Sequence, residues 1–222
     1  MKFSKLSIIM VMIVIVGLLV PGMAFANSAE VSEKDSAKKN AAKHISEFLS
    51  DRDKSISALN KAAKAPVIDT EEYTLSNGDK VRKEFRKLKV NDNLTIESTR
   101  TYTISATMHT IEDSYGLFWG GVPGAGGYMV AVYKYTHPTI NNPNSMTTQI
   151  YGASGHVENL DTMNYRFVNE EGTWDTGESY NPSAQVVFEM EMRIPGTIYW
   201  QDVTYTNSCK FNSYGEASFS WS

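Results

Sequence analysis

Two periodicities divide the chain. Between Asn27 and Ala65, the residues Ala42, Ile45, Leu49, Ile56, Leu59 and Ala63 recur at steps of three and four or their sum. That spacing puts them on one face of a helix. Ser50-Asp51-Arg52-Asp53 interrupts the stripe with capping residues and predicts two helices in place of one. Pro66 disfavours helix at Ala65 and ends the region.

From Val67 onward the period is two. Ile68–Leu75 and Lys80–Val90 flank Ser76-Asn77-Gly78-Asp79, a strong hairpin signal. Leu94–Ile111 alternates Leu94, Ile96, Tyr102, Ile104, Ala106 and Met108 against a face of threonine, serine and glutamate, with Ser98 and Arg100 as breaks in the apolar face. The pattern predicts one unusually extended or bent strand. Gly116–Gly127 reads as a glycine-rich loop, and Tyr128–Tyr135 as a central strand covered on both faces. Short strands are expected at Met146–Tyr151, His156–Leu160 and Met163–Val168, with turns at Asn141–Asn144 and Asn169–Gly172. Ala184–Ile194 alternates cleanly, and a phase change after Trp200 predicts a bulge at Gln201-Asp202. The expected fold is mainly β: an antiparallel two-sheet, sandwich-like domain over residues 67–222, preceded by a helical arm over 27–66.

The first 26 residues stand outside this fold. Lys2 and Lys5 precede an apolar run from Leu6 to Val20, then Pro21-Gly22 and an A-x-A site at Ala24-Phe25-Ala26. This order is that of a secretory signal peptide cleaved after Ala26, so the expected location is extracellular. Cys209 is the only cysteine, so no internal disulfide can form and burial and sheet hydrogen bonds must hold the fold. Disulfide-poor export suits a bacterium with one membrane. In its sharper readings Cys209 is a nucleophile or a mixed-disulfide partner, and in its plain one a small buried residue.

Charge changes the picture at one strand. The chain carries a net charge of −4, and Lys80, Arg82, Lys83, Arg86, Lys87 and Lys89 crowd into one segment. An acidic body with one basic strand excludes general nucleic-acid binding, which needs a broad basic face. The basic strand is a candidate contact for wall polymer or lipid headgroups, or a lysine-protected sheet edge.

The chemistry motifs are weak. The glycines lack the G-x-x-x-x-G-K-S/T spacing and no helix pattern follows, so neither a phosphate loop nor a dinucleotide site is expected, and no cofactor is implied. Gly152-Ala153-Ser154-Gly155-His156 lacks the G-x-S-x-G spacing of a nucleophile elbow. The four histidines form no H-x-x-x-H or H-E-x-x-H pair, and Glu170, Glu171, Asp175 and Glu178 match no calcium loop, so no metal site is expected. The aromatics are more suggestive. Leu117, Phe118, Trp119 and Trp174 are candidate contacts for a glycan or a membrane surface, alongside Lys80, Arg82, Lys83, Arg86 and Lys87. The reading is therefore a secreted, non-catalytic binding module for cell-envelope polymer or glycan. One alternative is a membrane-active protein, since the Ser/Thr-alternating strand resembles in texture the inserting strands of β-pore toxins. A secreted hydrolase with an unrecognised site is the other.

Overall fold

A computed structural model describes residues 28–136, 147–158, 165–194 and 196–222. The expected signal segment, the expected Asn141–Asn144 turn and His137 lie outside them. Two helices come first, α1 (Ser28–Ser50) and α2 (Arg52–Ala63). Eleven strands follow: β1 (Val67–Thr74), β2 (Lys80–Lys89), β3 (Leu94–Ile104), β4 (His109–Trp119), β5 (Val122–Thr136), β6 (Thr147–Glu158), β7 (Tyr165–Trp174), β8 (Glu178–Ser179), β9 (Ser183–Arg193), β10 (Trp200–Phe211) and β11 (Ala217–Trp221). They form two antiparallel sheets. Sheet A has the order β1-β2-β3-β4-β5-β6-β8, and sheet B the order β11-β10-β9-β7. Ser36–Ser222 cluster as one compact unit, to which the following description applies.

The helical break falls where the capping residues predict it. Asp51 caps α2 by accepting a hydrogen bond from Lys54 N at 3.3 Å. Of the expected stripe, Ala42, Ile45, Leu49, Leu59 and Ala63 are buried and Ile56 is half-buried against the core, and Ala58 and Ala62 on α2 are buried beside them. Sheet B is narrower than sheet A, and α2 extends its layer by packing against β11, β2 and β3. The junction is a side chain acting as a strand. The Asn60 amide donates to Trp221 O and accepts from Trp221 N, both at 2.8 Å, so it satisfies the edge of β11 at that residue. Tyr205 ties the helices to sheet B, since its hydroxyl donates to Leu49 O at 2.6 Å and meets Ser55 Oγ at 2.7 Å.

Four local expectations are corrected. Leu94–Ile111 is not one strand. It turns at residues 105–108 and forms the β3–β4 hairpin, where Ser105 Oγ accepts from Met108 N at 2.9 Å and holds the turn. Alternation continuing through Ile104, Ala106 and Met108 concealed the turn, because a serine–threonine turn carries no glycine or proline. Gly116–Gly127 is not a loop either. Only Gly120 and Gly121 turn the chain, both with positive φ, and the remaining glycines lie in β4 and β5. Gly124 has a packing reason: a Cβ there would stand 2.4 Å from Ile45 Cδ1, so α1 docks on bare backbone. Asn169–Gly172 lies within β7, not in a turn. Gly172 passes so close to β6 that a Cβ would stand 2.0 Å from Ala153 O. No bulge forms at Gln201-Asp202. β10 pairs with β9 in continuous register, and Trp200 lies under the Arg166 guanidinium, 4.1 Å from its ring centroid, instead of facing the core.

β5 is central in sheet A, but only one face is deeply buried. Met129, Ala131 and Tyr133 face sheet B, while Tyr128, Val130 and Val132 on the other face are half-buried. The core between the layers centres on Met129, Ile150, Val186, Phe188 and Met192, all 2 % exposed or less.

Candidate functional site

The triplet Leu117-Phe118-Trp119 at the end of β4 splits across the sheet, as its period requires. Leu117 points inward and is buried. Phe118 turns to the outer face, where its ring lies over Gly116: a Cβ at Gly116 would come within 2.8 Å of Phe118 Cε2. Trp119 stacks on His44 of α1, with ring centroids 4.3 Å apart and 19° between planes. His44 Nδ1 lies 3.1 Å from Glu47 Oε2, so Trp119 buttresses one turn of α1.

That turn is the wall of a groove. Lys43, Ser46 and Glu47 share one face of α1, and Arg193, Ile194, Gly196, Thr197, Ile198 and Tyr199 from the β9–β10 connection form the opposite wall. The space between them is about 530 Å³. The connection is held by its own hydrogen bonds. Arg193 Nε donates to Thr197 O at 2.7 Å, Thr197 Oγ1 to Ile194 O at 2.9 Å, and Tyr199 N to Thr197 Oγ1 at 3.1 Å. Held in this way, it presents Ile198 and Tyr199 at 75 % and 68 % exposure. An exposed aromatic on a hydrogen-bonded connection, beside two cations and a carboxylate, can stack on a flat polar ligand.

The other sequence candidates are dispersed. Trp174 is exposed at the end of β7, on the edge of sheet B. The basic strand alternates across sheet A. Arg86 is buried beside Glu84 at 2.5 Å, whereas exposed Arg82 reaches the same carboxylate at 2.9 Å and Glu72 at 3.8 Å. Lys83 lies on the outer side over the Tyr73 ring, 5.7 Å from its centroid, and Lys87 pairs with Glu97 at 2.8 Å. Lys80 is exposed next to the β1–β2 turn.

A second polar centre escaped sequence reasoning. The inner face of β2–β4 carries a row of Glu84, Arg100 and Asp113, placed opposite one another in register. Arg100 Nε donates to Asp113 Oδ1 at 3.0 Å, and the Tyr115 hydroxyl donates to Asp113 Oδ2. Arg100 also lies over the Phe219 ring, 4.6 Å from its centroid. Burial raises the Asp113 carboxyl above the usual carboxylate range against the opposing pull of Arg100. Burial likewise pushes the Tyr115 hydroxyl and the Cys209 thiol upward, so both stay protonated at neutral pH. A fully buried thiol held neutral is a poor nucleophile. The one available signal was that Ser98 and Arg100 break the apolar face in phase with it.

Comparison with protein families, characterised proteins and solved structures gives no match for this chain. Among the described residues, no group of three His, Cys, Asp or Glu is arranged to hold a metal ion. Among them also, no helix is long and apolar enough to cross a membrane, a statement that does not extend to β-barrels.

Proposed function

We propose that the protein is an exported, non-catalytic binding module that holds cell-envelope polymer or glycan in the groove between α1 and the β9–β10 connection. The observation that carries this reading is the exposure of Tyr199 and Ile198, on a connection held by its own hydrogen bonds, beside Lys43, Glu47 and Arg193. Carbohydrate modules work this way: a fixed aromatic stacks on a sugar face while charged and hydroxyl groups read its substituents. Trp119 acts at one remove, by holding His44 and hence the helical wall.

The test is retention of residues 27–222 on purified cell-wall material. Tyr199→Ala should weaken retention about three- to tenfold, the value of one stacking contact. Trp119→Ala should weaken it less. Neutralising Lys80, Lys83 and Lys87 tests the basic strand as a rival contact in the same assay. Unchanged retention in Tyr199→Ala overturns the groove. Release of dye from liposomes at micromolar protein would replace the binding reading with the membrane-active one.

A further inference from the structure

The groove between α1 and the β9–β10 connection holds two cations, Lys43 and Arg193, and among the described residues neither has an ion-pair partner. For Lys43 the expected partner is Glu47. The two lie four residues apart on one face of α1, a spacing at which opposite charges pair. Here His44 takes the carboxylate, with Nδ1 3.1 Å from Glu47 Oε2, and the stacked Trp119 ring holds His44 in place. Lys43 is left exposed and unpaired. Arg193 is fixed from behind. Its Nε donates to Thr197 O at 2.7 Å, which orients the guanidinium and leaves its two Nη groups without a partner among the described residues.

The lining groups together narrow the ligand. Of the charged residues on the walls, two are cations and one is a carboxylate, so the groove is locally positive in a chain of net charge −4. A free inorganic anion would use the cations and leave Tyr199 and Ile198 in water. A neutral sugar would use Tyr199 and draw only ordinary hydrogen bonds from the cations. A sugar that carries an oxyanion uses both, and its hydroxyls can donate to the Glu47 oxygen that His44 leaves open. Resting on the reading of the groove as a glycan site, we propose that its ligand is an acidic saccharide. The carboxylate or phosphate lies between Lys43 and Arg193, and a sugar face covers Tyr199. His44 is a positioning residue: by holding Glu47 it keeps Lys43 free for the ligand.

The probes are three insoluble materials: purified cell wall with its phosphodiester polymer intact, the same wall stripped of phosphodiesters by acid, and a cross-linked polyuronate. Residues 27–222 should bind the intact wall about four- to tenfold more tightly than the stripped wall, the combined value of two exposed ion pairs. Lys43 is exposed, so Lys43→Gln should fold, and it should lower that preference about two- to threefold. His44→Ala frees Glu47 to pair with Lys43 and should lower the preference in the same direction with no lining charge removed. Arg193→Gln completes the series, and Lys43→Gln keeps the proposal testable if that change loosens the connection. Tyr199→Ala should weaken binding to both walls alike and leave their ratio unchanged. Binding to polyuronate that falls in Lys43→Gln extends the ligand to carboxylates, and no binding to it restricts the ligand to phosphates. Equal binding to intact and stripped wall, still lost in Tyr199→Ala, overturns the acidic ligand and leaves the glycan groove standing. Binding to neither wall removes both. A preference for intact wall that survives Lys43→Gln with Arg193→Gln, and falls when Lys80, Lys83 and Lys87 are neutralised, also overturns the proposal.

Discussion

The space between the layers has two halves that obey different rules. One is apolar: Met129, Ile150, Val186, Phe188 and Met192 fill it, and a cavity of about 60 Å³ lined by Leu117, Tyr165 and Phe188 adjoins it. The other is ionic: Glu84, Arg86, Arg100 and Asp113 sit at similar burial on the same face of sheet A. Apolar packing stabilises without direction, so it tolerates any residue of suitable volume. A buried ion pair gains little net stability over an apolar pair, but it penalises every register that leaves a charge alone. In a meander of six consecutive strands, where each strand could slip by two residues and keep its alternation, the ionic half is positioned to fix β2, β3 and β4 against one another.

The largest effects separate the halves. Asp113→Ala leaves the Arg100 guanidinium buried without its partner and should cost about 3–5 kcal/mol in chemical unfolding. Phe188→Ala should cost a similar amount, about 3–5 kcal/mol, through its cavity. The two differ in rescue. Adding Arg100→Met to Asp113→Leu should recover much of the loss of either single change, whereas no second apolar truncation rescues Phe188→Ala. A strictly additive cycle at Arg100 and Asp113 would remove the contrast.

Next in size is the seam where α2 completes the layer of sheet B. Asn60→Ala removes both hydrogen bonds to Trp221 and should cost about 1–3 kcal/mol, with amide exchange of β11 rising before that of β10. Protection of β11 unchanged from wild type would show that the helix covers the edge by packing alone. Smaller again, Asp51→Ala should cost about 1 kcal/mol by uncapping α2, read as a shift in the denaturant midpoint without a change in slope.

The smallest effect is a dependence on pH. Burial raises Asp113 and, on the half-buried outer face of the same strand, Glu112. A carboxyl whose folded pKa exceeds its unfolded value adds stability that is complete below the unfolded value, about 4, and is lost as pH rises through the folded one. Stability should therefore fall as pH climbs from about 4, and Glu112→Gln should flatten part of that slope. An unaltered slope in Glu112→Gln would assign the whole effect to Asp113 and the ionic half.

Much of the fold was legible in the residues. The helical stripe, its break at Asp51, the Asn77-Gly78 hairpin and the alternation of β9 all follow from local spacing and capping chemistry. The candidate groove was not legible, because its walls lie about 150 positions apart in the chain and neither carries a motif. Trp119 stands out in the sequence as an aromatic, but its stacking on His44 depends on α1 reaching it from elsewhere in the chain.

The sequence by itself determined the class of fold, since period-two alternation with no cysteine pair leaves burial between antiparallel sheets as the source of stability. Only the tertiary structure decided what the exceptions meant. Ser98 and Arg100 read as faults in an apolar face until β2 and β4 place Glu84, Arg86 and Asp113 beside them. The glycines read as a loop until α1 closes on Gly124 and Gly120-Gly121 supply the turn. The physical reason is common to both cases. Alternation is a property of one strand, whereas the pairing of a charge or the need for a missing Cβ is a property of the neighbour that arrives from elsewhere in the chain.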